Sequence, residues 1–482
     1  MPATLEQVRK RIERSGDDAG GLLRRFADIL FDKADDAFLE EFDSDSLYAI
    51  AVDGVRFLAG GLEDGPRVQV FNPRFEADGW DAPYTVIRLL LADRPFIVDS
   101  VRAELGRHQV EIFHLLHPIV TPVRDAEGAV VALDGKAAPG KAAKGNGKAP
   151  ADRAGREAFE MYFVERIEDA ERLDAVQAAV TRVLEDVLRA TGDYQALRER
   201  ALDTRDYLRE LKRRADADGE AARGEELDEC AAFMEWLDDE NFVFLGYREY
   251  DITPTHGVPA LQVTEDSGLG ILRQEGQSAY SDPVPIEELP DGLRERVTGG
   301  RMFVVTKTNA EATVHRPARM DYIGVKKLSD DWQVVGERRF LGLFTSKAHS
   351  APVEDIPILR RKLRQVLEID DALPGSHDYK GIVSVFNSMP REELFWSDAE
   401  QLHRDIRTIL GLEQERGVRL TLRPDPLGRG IGVMVIMPRE SFNAGVRRNV
   451  QTYLTEKLSA QHVDYTLAMG EDQAQVRFHF FF

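Results

Sequence analysis

The stretch YTVIRLLLADRPFIVDSVRAEL, residues 84–105, decides the fold of the most clearly patterned part of this chain. Its first eight residues form an apolar run, which is typical of a strand that is buried on both faces. A turn over residues 92–95 follows, and Pro95 fits the first turn of the next helix, where no backbone N–H is required. The apolar face of that helix would consist of Ile97, Val98, Val101 and Leu105. The pattern predicts a buried strand, a tight turn and an amphipathic helix.

The segments that follow extend this pattern into a small α+β module. Residues 110–123 and 157–167 are rich in β-formers and are predicted strands, and residues 169–190 have the apolar spacing of a helix. The order β-α-β-β-α is one strand short of the ferredoxin-like pattern. Residues 134–155 are mostly Gly, Ala, Pro and Lys, which predicts a flexible, solvated extension of a hairpin. Contact of its lysines with an acidic partner is the alternative.

Two helical regions and one β-rich region surround or follow the module. Residues 1–47 and 195–240 have helical apolar spacing, and Cys230 lies on an apolar stripe, which favours a core residue over a nucleophile. Residues 242–346 carry strand-like runs separated by Gly, Pro and Asn or Asp. They predict a single curved antiparallel sheet, of the kind that small sensor domains use.

The C-terminal part resembles the first module in its order of elements. Residues 351–412 are predicted to be helical, and Ser397 followed by Glu400 has the spacing of a capping box. Residues 417–482 predict a hairpin, a helix over 443–458 and two strands, which hints at internal repetition. The chain ends on VRFHFFF inside a predicted strand, so we expect a fragment or truncated product of a longer protein.

Length, charge and cysteine content limit the class of protein. At about 150 residues per domain, the 482 residues predict about three domains. The net charge of −22 makes a surface that repels phosphate backbones and anionic lipid, which argues against nucleic acid and membrane partners. The first residues contain no apolar signal region, no run approaches the ~20 apolar residues of a membrane span, and the single cysteine excludes an intrachain disulfide. We therefore expect a cytoplasmic protein.

Motifs of nucleotide and hydrolytic chemistry do not occur in full. The nearest approaches to the dinucleotide pattern G-x-G-x-x-G are residues 268–270 and 428–432, and there is no Walker loop or G-x-S-x-G elbow. His114 and His117 lie three residues apart on a predicted strand, so they point to opposite faces and cannot converge on one metal ion. A single cysteine excludes a thiolate zinc cluster. The sequence predicts no catalytic residue, no bound cofactor and no metal site in this chain.

Two places remain where an anionic ligand would fit. The first is the strand-to-helix turn with Asp93, Arg94, Asp99 and Ser100, because a helix N-terminus presents N–H groups and a partial positive charge to a carboxylate or phosphate. The alternative is that Asp93 caps the helix and Arg94 is solvated. The second place groups basic residues that would form an anion pocket or, alternatively, salt bridges between domains. These residues are Arg319, Lys326, Lys327, Arg338 and Arg339.

Seven segments, taken in order, resemble one known family. They are RPFIVDSVRAEL (94–105), FVFLGYREYD (242–251), ATVHRPARMDYIGVKKL (312–328), VVGERRFLGLFTS (334–346), IPILRRKLRQVL (356–367), MPREELF (389–395) and RPDPLGRGIGVMVIMPRE (423–440). Together they are similar to the N-terminal regulatory region of the large, NAD-specific glutamate dehydrogenases of bacteria. The resemblance covers nearly the whole chain.

The resemblance implies an α+β fold of ferredoxin-like ACT-type modules and a PAS-like antiparallel β domain, joined by helical segments. The expected domains are an N-terminal helical segment (1–75), a first ACT-like domain (76–194) with the flexible insert 134–155, a helical connector (195–241), a PAS-like domain (242–350), a helical segment (351–412) and a second, truncated ACT-like domain (413–482). In that family the dinucleotide-binding catalytic core lies further along the chain. Its catalytic residues therefore have no positions here.

By this resemblance the chain is the regulatory and oligomerisation part of an enzyme that converts L-glutamate and NAD to 2-oxoglutarate, ammonium and NADH. The implied partners are a small amino-acid effector, further copies of the chain and the dehydrogenase core. By analogy with ACT modules, Asp93, Arg94, Asp99 and Ser100 are the effector-binding candidates. The alternative is a free-standing ACT-type amino-acid sensor that acts in trans. In either case we expect no NADH formation by these 482 residues alone.

Overall fold

A computed structural model describes most of the chain. The described residues are 5–16, 18, 21–32, 34–62, 65–126, 128–133, 155–274, 276, 278–299, 301–411, 417–425, 430–461, 463–469 and 475–482. The predicted flexible insert 134–155 lies outside them, except for Gly155. The chain divides into two compact units, one of Met1–Gly192 with Glu311–Ala318, the other of Asp193–Ala310 with Arg319–Phe482. The segment Glu311–Ala318 thus belongs to the first unit, although the chain on both sides of it belongs to the second.

The described residues of the first unit form seven helices, the strands of one antiparallel sheet and a small hairpin. Its elements are α1 (Leu5–Ser15), α2 (Leu22–Phe31), α3 (Asp36–Glu41), α4 (Ser44–Ala59), β1 (Arg67–Phe71), α5 (Phe75–Asp78), β2 (Thr85–Ala92), α6 (Ile97–Arg107), β3 (Ile112–Leu116), β4 (Ile119–Val120), β5 (Pro122–Arg124), β6 (Val130–Leu133), β7 (Glu157–Val164) and α7 (Ala170–Gly192). The sheet has the order β1-β2-β7-β3, with β4 also paired to β7, while β5 and β6 pair with each other.

The structure corrects the sequence-based description of this module in three places. The strand predicted over 110–123 is divided into β3, β4 and β5. The strand that the ferredoxin-like pattern lacked is β1, which lies in the segment predicted to be helical and pairs with the outer side of β2. Pro95 is not in the first turn of α6, because that helix begins at Ile97 after an N-cap at Phe96.

The two central strands of the first unit are buried on both faces, which confirms the prediction from the apolar run for β2. One face of β2 and β7 contributes Val86, Leu90, Phe159, Met161 and Phe163 to a core shared with α1 to α4. The alternate residues, among them Leu89 and Tyr162, are also buried, on the face that α6 and α7 cover. Each large apolar side chain buried in this way stabilises the unit by ~1.5–3 kcal/mol.

The second unit contains two sheets and a set of helices. Its elements are α8 (Tyr194–Ala217), α9 (Ala221–Trp236), β8 (Phe242–Thr255), β9 (Val258–Val263), β10 (Leu269–Gly270), β11 (Val284–Pro285), α10 (Asp291–Thr298), β12 (Phe303–Glu311), β13 (Arg319–Leu328), β14 (Val334–Phe344), α11 (Ser346–Ser350), α12 (Leu359–Ile369), α13 (His377–Ser388), α14 (Arg391–Trp396), α15 (Ala399–Gly411), β15 (Arg419–Pro424), β16 (Ile431–Pro438), α16 (Ala444–Leu458), β17 (Asp464–Met469) and β18 (Gln475–Phe481). The larger sheet has the order β11-β9-β8-β14-β13-β12, with β10 on β8. It confirms the single sheet predicted for this region.

A helix start in the second unit differs from the prediction by one residue. Asp398, not Ser397, caps α15, because its Oδ1 accepts a hydrogen bond of 2.7 Å from the backbone N–H of Gln401. Ser397 instead ends α14. Both residue types are good N-caps, and their order in the sequence does not decide which one adopts the cap conformation.

The hint of internal repetition is confirmed by sheet topology. The second sheet of the second unit has the order β15-β16-β18-β17, and α16 follows β16 in the chain as α6 follows β2. In chain order, each module therefore has an edge strand, a central strand, a helix, the opposite edge strand and the second central strand. The combination of helices with antiparallel sheets confirms the α+β class. Among the described residues, no helix is long and apolar enough to cross a membrane.

Candidate functional site

The four residues that the sequence singled out lie where β2 leads into α6: Asp93 and Arg94 are in the connecting turn, and Asp99 and Ser100 are in the first turn of α6. Asp93 is buried, its N–H donates to the carbonyl of Arg156 at 2.9 Å, and its Oδ2 lies 3.3 Å from Nε of Arg156. The helix N-cap is Phe96, which has a left-handed backbone with φ 74° and makes no side-chain cap. The alternative interpretation of Asp93 as the helix cap is therefore wrong. Its carboxylate is held by an arginine from the start of β7 instead.

The segment Glu311–Ala318 lies against this turn, within the same unit. The backbone N–H of His315 donates to Oγ of Ser100 at 2.9 Å, and Ser100 is fully buried. The His315 ring lies 4.7 Å from the Phe96 ring, centroid to centroid. The segment therefore covers the first turn of α6 with both backbone and ring contacts.

Two further contacts anchor the segment away from the turn. Arg107, in the last turn of α6, donates through Nη2 to the carbonyl of Ala312 at 2.6 Å. Thr313 donates through Oγ1 to Oδ2 of Asp186 on α7 at 2.8 Å. The segment is thereby tied to both helices of one sheet face. No local sequence pattern predicts these contacts, because their partners are distant in the chain.

Arg94 and Asp99 supply opposite charges at this turn. Arg94 is half-buried, and its Nε is a buried atom with no hydrogen-bond partner among the described residues. Asp99 is exposed and lies near enough to raise the pKa of His315, while burial of that imidazole, the larger effect, lowers its pKa. Nδ1 of His315 is likewise buried without a described hydrogen-bond partner. The turn thus carries a cation, an anion and two unused polar nitrogens.

The sequence-based reasoning missed a buried acid beside these residues. Glu160, in the middle of β7, is 3 % exposed, and it accepts a hydrogen bond of 2.5 Å from the hydroxyl of Tyr162. The pKa of Glu160 is raised to about 7, mainly by burial. The Tyr162 hydrogen bond and Arg102 on α6 oppose this shift, and the carboxylate of Asp93 contributes to it. A glutamate within the apolar strand EAFEMYFV was the pattern that could have indicated it.

The arrangement suits reversible binding of a zwitterion. An α-carboxylate matches the guanidinium of Arg94, and an α-ammonium matches the carboxylate of Asp99. Across the residues that the structure describes, no group of three His, Cys, Asp or Glu side chains is arranged to hold a metal ion. His114 lies instead 2.9 Å, through Nε2, from a carboxylate oxygen of Glu41.

The glycines that approach a dinucleotide pattern have a structural role. Gly268 and Gly270 adjoin or form β10, and a Cβ at either position would meet backbone atoms, of Leu272 and Leu245 respectively. Gly270 also has φ +60°, which favours glycine. The close approach of the chain's own backbone therefore accounts for both glycines. The other approach, residues 428–432, lies partly outside the described residues.

Comparison with known proteins connects the two repeated modules to one family. The family model described as glutamate dehydrogenase, ACT1 domain, matches residues 26–180. Helical motif 1 of glutamate dehydrogenase matches residues 356–416, and the ACT2 domain matches residues 419–482. The two ACT matches contain the two sheets that share one topology.

Curated relatives match almost the full length of this chain. The NAD-specific glutamate dehydrogenase of Halomonas elongata is 31% identical over 97% of the chain, and that of Pseudomonas aeruginosa is 30% identical over 86%. The enzyme of the same name from Mycobacterium tuberculosis is 26% identical over 78%. The chain spans 28%, 24% and 21% of these relatives, respectively, or about a quarter of their length. The chain belongs to the family of NAD-specific glutamate dehydrogenases, whose N-terminal region it matches.

Proposed function

We propose that this chain is the regulatory and oligomerisation region of an NAD-specific glutamate dehydrogenase, which would oxidise L-glutamate to 2-oxoglutarate and ammonium. The relatives carry that name and are about four times longer, which supports a catalytic and NAD-binding core elsewhere in the protein. We further propose a cytoplasmic location, where the single cysteine stays reduced. A direct check is an NADH assay of the 482-residue protein with glutamate and NAD. Protein-dependent turnover would contradict the proposal.

The proposed domains keep the boundaries expected from sequence. They are 1–75, 76–194, 195–241, 242–350, 351–412 and 413–482, with ACT-like modules at 76–194 and 413–482. The edge strand β1 (Arg67–Phe71), which lies before the first of these modules in the chain, adds to its sheet. The antiparallel sheet of β8 to β14 supports a PAS-like domain at 242–350. An interface between two ACT-like modules would have two alternative packing arrangements. An effector that binds one arrangement more tightly than the other, by about 1–3 kcal/mol, would shift the equilibrium between them.

The effector site of this proposal is the β2–α6 turn, and its ligand is a small amino acid. The observation that carries it is the presence of Arg94 and Asp99, of opposite charge, where β2 leads into α6 beneath the anchored segment Glu311–Ala318. Arg94 has an Nε without a described partner, and Asp99 is exposed. Asp93 contacts Arg156, and Ser100 accepts a hydrogen bond from the backbone N–H of His315. Their role in the proposed site is therefore to hold the conformation of the turn and not to bind the amino acid directly.

Isothermal titration calorimetry with a panel of amino acids tests this site. The expected result is saturable heat with at least one amino acid, and a loss of affinity of at least about tenfold in Arg94→Gln and in Asp99→Asn. Arg56→Gln, an exposed arginine on α4, is the matched control and should bind as the wild type does. Equal binding in all three variants would place the effector elsewhere.

Light scattering during gel filtration tests whether the protein assembles into oligomers. A monomer at high concentration would contradict the proposed role in oligomerisation.

A further inference from the structure

The second of the two repeated modules, formed by β15 to β18 with α16, exposes part of one sheet face. Leu420 and Leu422 on the edge strand β15 are 48% and 52% exposed. They pair with Val435 and Val433 on β16, which belong to an apolar cluster that α16 packs against. Because paired residues of neighbouring strands lie on the same face of a sheet, the two leucines lie on the face that carries α16. An exposed apolar strip therefore borders this helix.

The corresponding strip of the first module is covered by a helix. Val68 and Val70 on the edge strand β1 pair with buried residues of β2, as the two leucines pair with β16. Both valines are half-buried. Helix α7 contacts β1 and packs against α6, and Oε1 of its Gln177 accepts a hydrogen bond of 3.0 Å from the backbone N–H of Val70. The first module thus has two helices on this sheet face.

Helix α16 takes the place of α6 and not that of α7. It follows the first central strand of its module as α6 does, whereas α7 follows the second central strand, β7. The guanidinium of Arg447 on α16 lies 4.5 Å from the centroid of the Tyr465 ring on β17, the edge strand opposite β15. In chain order the counterpart of α7 would come after β18, and within the described part of the chain no helix follows that strand.

Helix α16 also has the exposure of a helix that lacks a neighbour. None of its side chains is buried, whereas α6 buries five residues and α7 buries seven. Tyr453, which is next to Leu454 of the sheet-facing stripe, is 59% exposed. Contiguous apolar surface of this kind marks an interaction site. The comparison of the two modules indicates that its partner is a helix.

We propose that an amphipathic helix from the polypeptide that follows Phe482 in the full-length protein docks on the strip formed by β15 and α16. Its apolar stripe would contact Leu420, Leu422 and Tyr453, as α7 contacts β1 and α6. The six residues of β15 span about 20 Å, so the docked helix needs about 13 residues. This proposal rests on the proposed function, because the curated relatives are about four times longer than this chain.

Hydrogen exchange of the 482-residue protein and of the full-length protein tests the docking. The amides of β15 should exchange at least about tenfold more slowly in the full-length protein, while those of β1 should exchange alike in both. Equal exchange of β15 in the two proteins would overturn the proposal. Protection of β15 that rises with the concentration of the 482-residue protein would also overturn it, because a second copy would then be the cover.

Photo-cross-linking identifies the segment that covers the strip. In the first module α7 ends at Gly192, 28 residues after Val164 at the end of β7. With p-benzoylphenylalanine in place of Leu420, the cross-link in the full-length protein should therefore lie within about 30 residues after Phe482 of the same chain. The same group in place of Leu373, which is 71% exposed, should not reach that segment. A cross-link to another segment or to a second copy, or no cross-link, would refute the proposal.

A matched pair of variants confirms the contact. Leu422→Asp should speed the exchange of β15 at least about tenfold in the full-length protein and leave it unchanged in the 482-residue protein, where this side chain is exposed. Leu373→Asp should change neither protein. Unchanged exchange in full-length Leu422→Asp would contradict the proposal. A reading frame that stops after Phe482 would refute the proposed function as well, whereas a dehydrogenase core with an unprotected β15 would refute this proposal alone.

Discussion

The rings of Phe96 and His315 lie 4.7 Å apart, and both residues have left-handed backbones, with φ 74° and φ 78°. A left-handed backbone is uncommon for residues other than glycine, and each instance costs on the order of 1–3 kcal/mol. The segment Glu311–Ala318 offsets this cost through its contacts with Ser100, Arg107 and Asp186. Two strained residues therefore meet at the β2–α6 turn, where the effector site is proposed.

Removing the Ser100 hydroxyl should loosen this segment. Ser100→Ala leaves the buried N–H of His315 without its acceptor, which should lower the free energy of unfolding by about 1–3 kcal/mol. Urea denaturation followed by circular dichroism measures the change. The exposed Ser350→Ala is the control, with an expected effect within about 0.5 kcal/mol. Equal effects of the two substitutions would show that the His315 contact contributes nothing.

The titration of His315 should destabilise the protein at mildly acidic pH. Burial is the main cause that lowers its pKa below 6.5, and Arg316 adds to it while Asp99 opposes it. The unfolded chain therefore binds more protons than the folded protein at pH values around and below 6.5, and stability falls as pH drops from about 7.5 toward the lowered folded pKa. His315→Asn, which tolerates a positive φ, should remove this component of the pH dependence. Unfolding curves with the same pH dependence in both proteins would contradict the assignment.

Glu160 should have the opposite effect on the pH dependence. Its folded pKa of about 7 lies above its ordinary value of 4.5, so the folded state binds more protons and stability is lost as pH rises between these values. Glu160→Gln keeps an acceptor for Tyr162 and removes the charge. Its stability relative to the wild type should rise by about 3 kcal/mol from about pH 4.5 to about pH 8. The exposed Glu168→Gln should show no such trend, and a pH-independent difference for Glu160→Gln would refute the prediction.

The buried ion pair between Arg88 and Asp53 should be sensitive to loss of one partner. Nη1 of Arg88 lies 2.5 Å from Oδ2 of Asp53, and both side chains are 9% exposed. Asp53→Ala leaves the guanidinium buried beside the Phe57 ring without its carboxylate, which should cost about 3–5 kcal/mol in denaturant unfolding. Lys10→Ala, which breaks an exposed pair with Glu6, should cost no more than about 0.5 kcal/mol. Similar costs for the two variants would contradict the argument.

Cys230 should react slowly with thiol reagents in the folded protein. It is 2 % exposed, and burial raises the pKa of its thiol, so little reactive thiolate forms at neutral pH. We expect labelling by a chromogenic disulfide at least about 100-fold slower than in guanidinium-unfolded protein. Comparable rates in the two states would show that the helix α9 opens readily.

The secondary structure around residues 84–105 was predictable because periodicity and apolar runs are local properties. Strand β2, helix α6, strand β7 and helix α7 follow directly from the spacing of apolar side chains. Strand β1 was not recognised, since five half-buried residues on a sheet edge carry a weak pattern. The predicted positions of Pro95 and Ser397 at helix starts are wrong by one or two residues. Several neighbouring residues can serve as the cap, and the packing of the whole helix decides which one does.

The sequence by itself determined that the chain is α+β, that it contains two related modules, and that Asp93, Arg94, Asp99 and Ser100 lie together at one strand-to-helix junction. Tertiary structure alone decided what those residues contact: Arg156 holds Asp93, the segment Glu311–Ala318 covers Ser100, and Glu160 lies buried nearby. The physical reason is that backbone periodicity reports only neighbours a few residues apart. Contacts between distant segments, and the burial that shifts a pKa, arise only when the chain closes on itself.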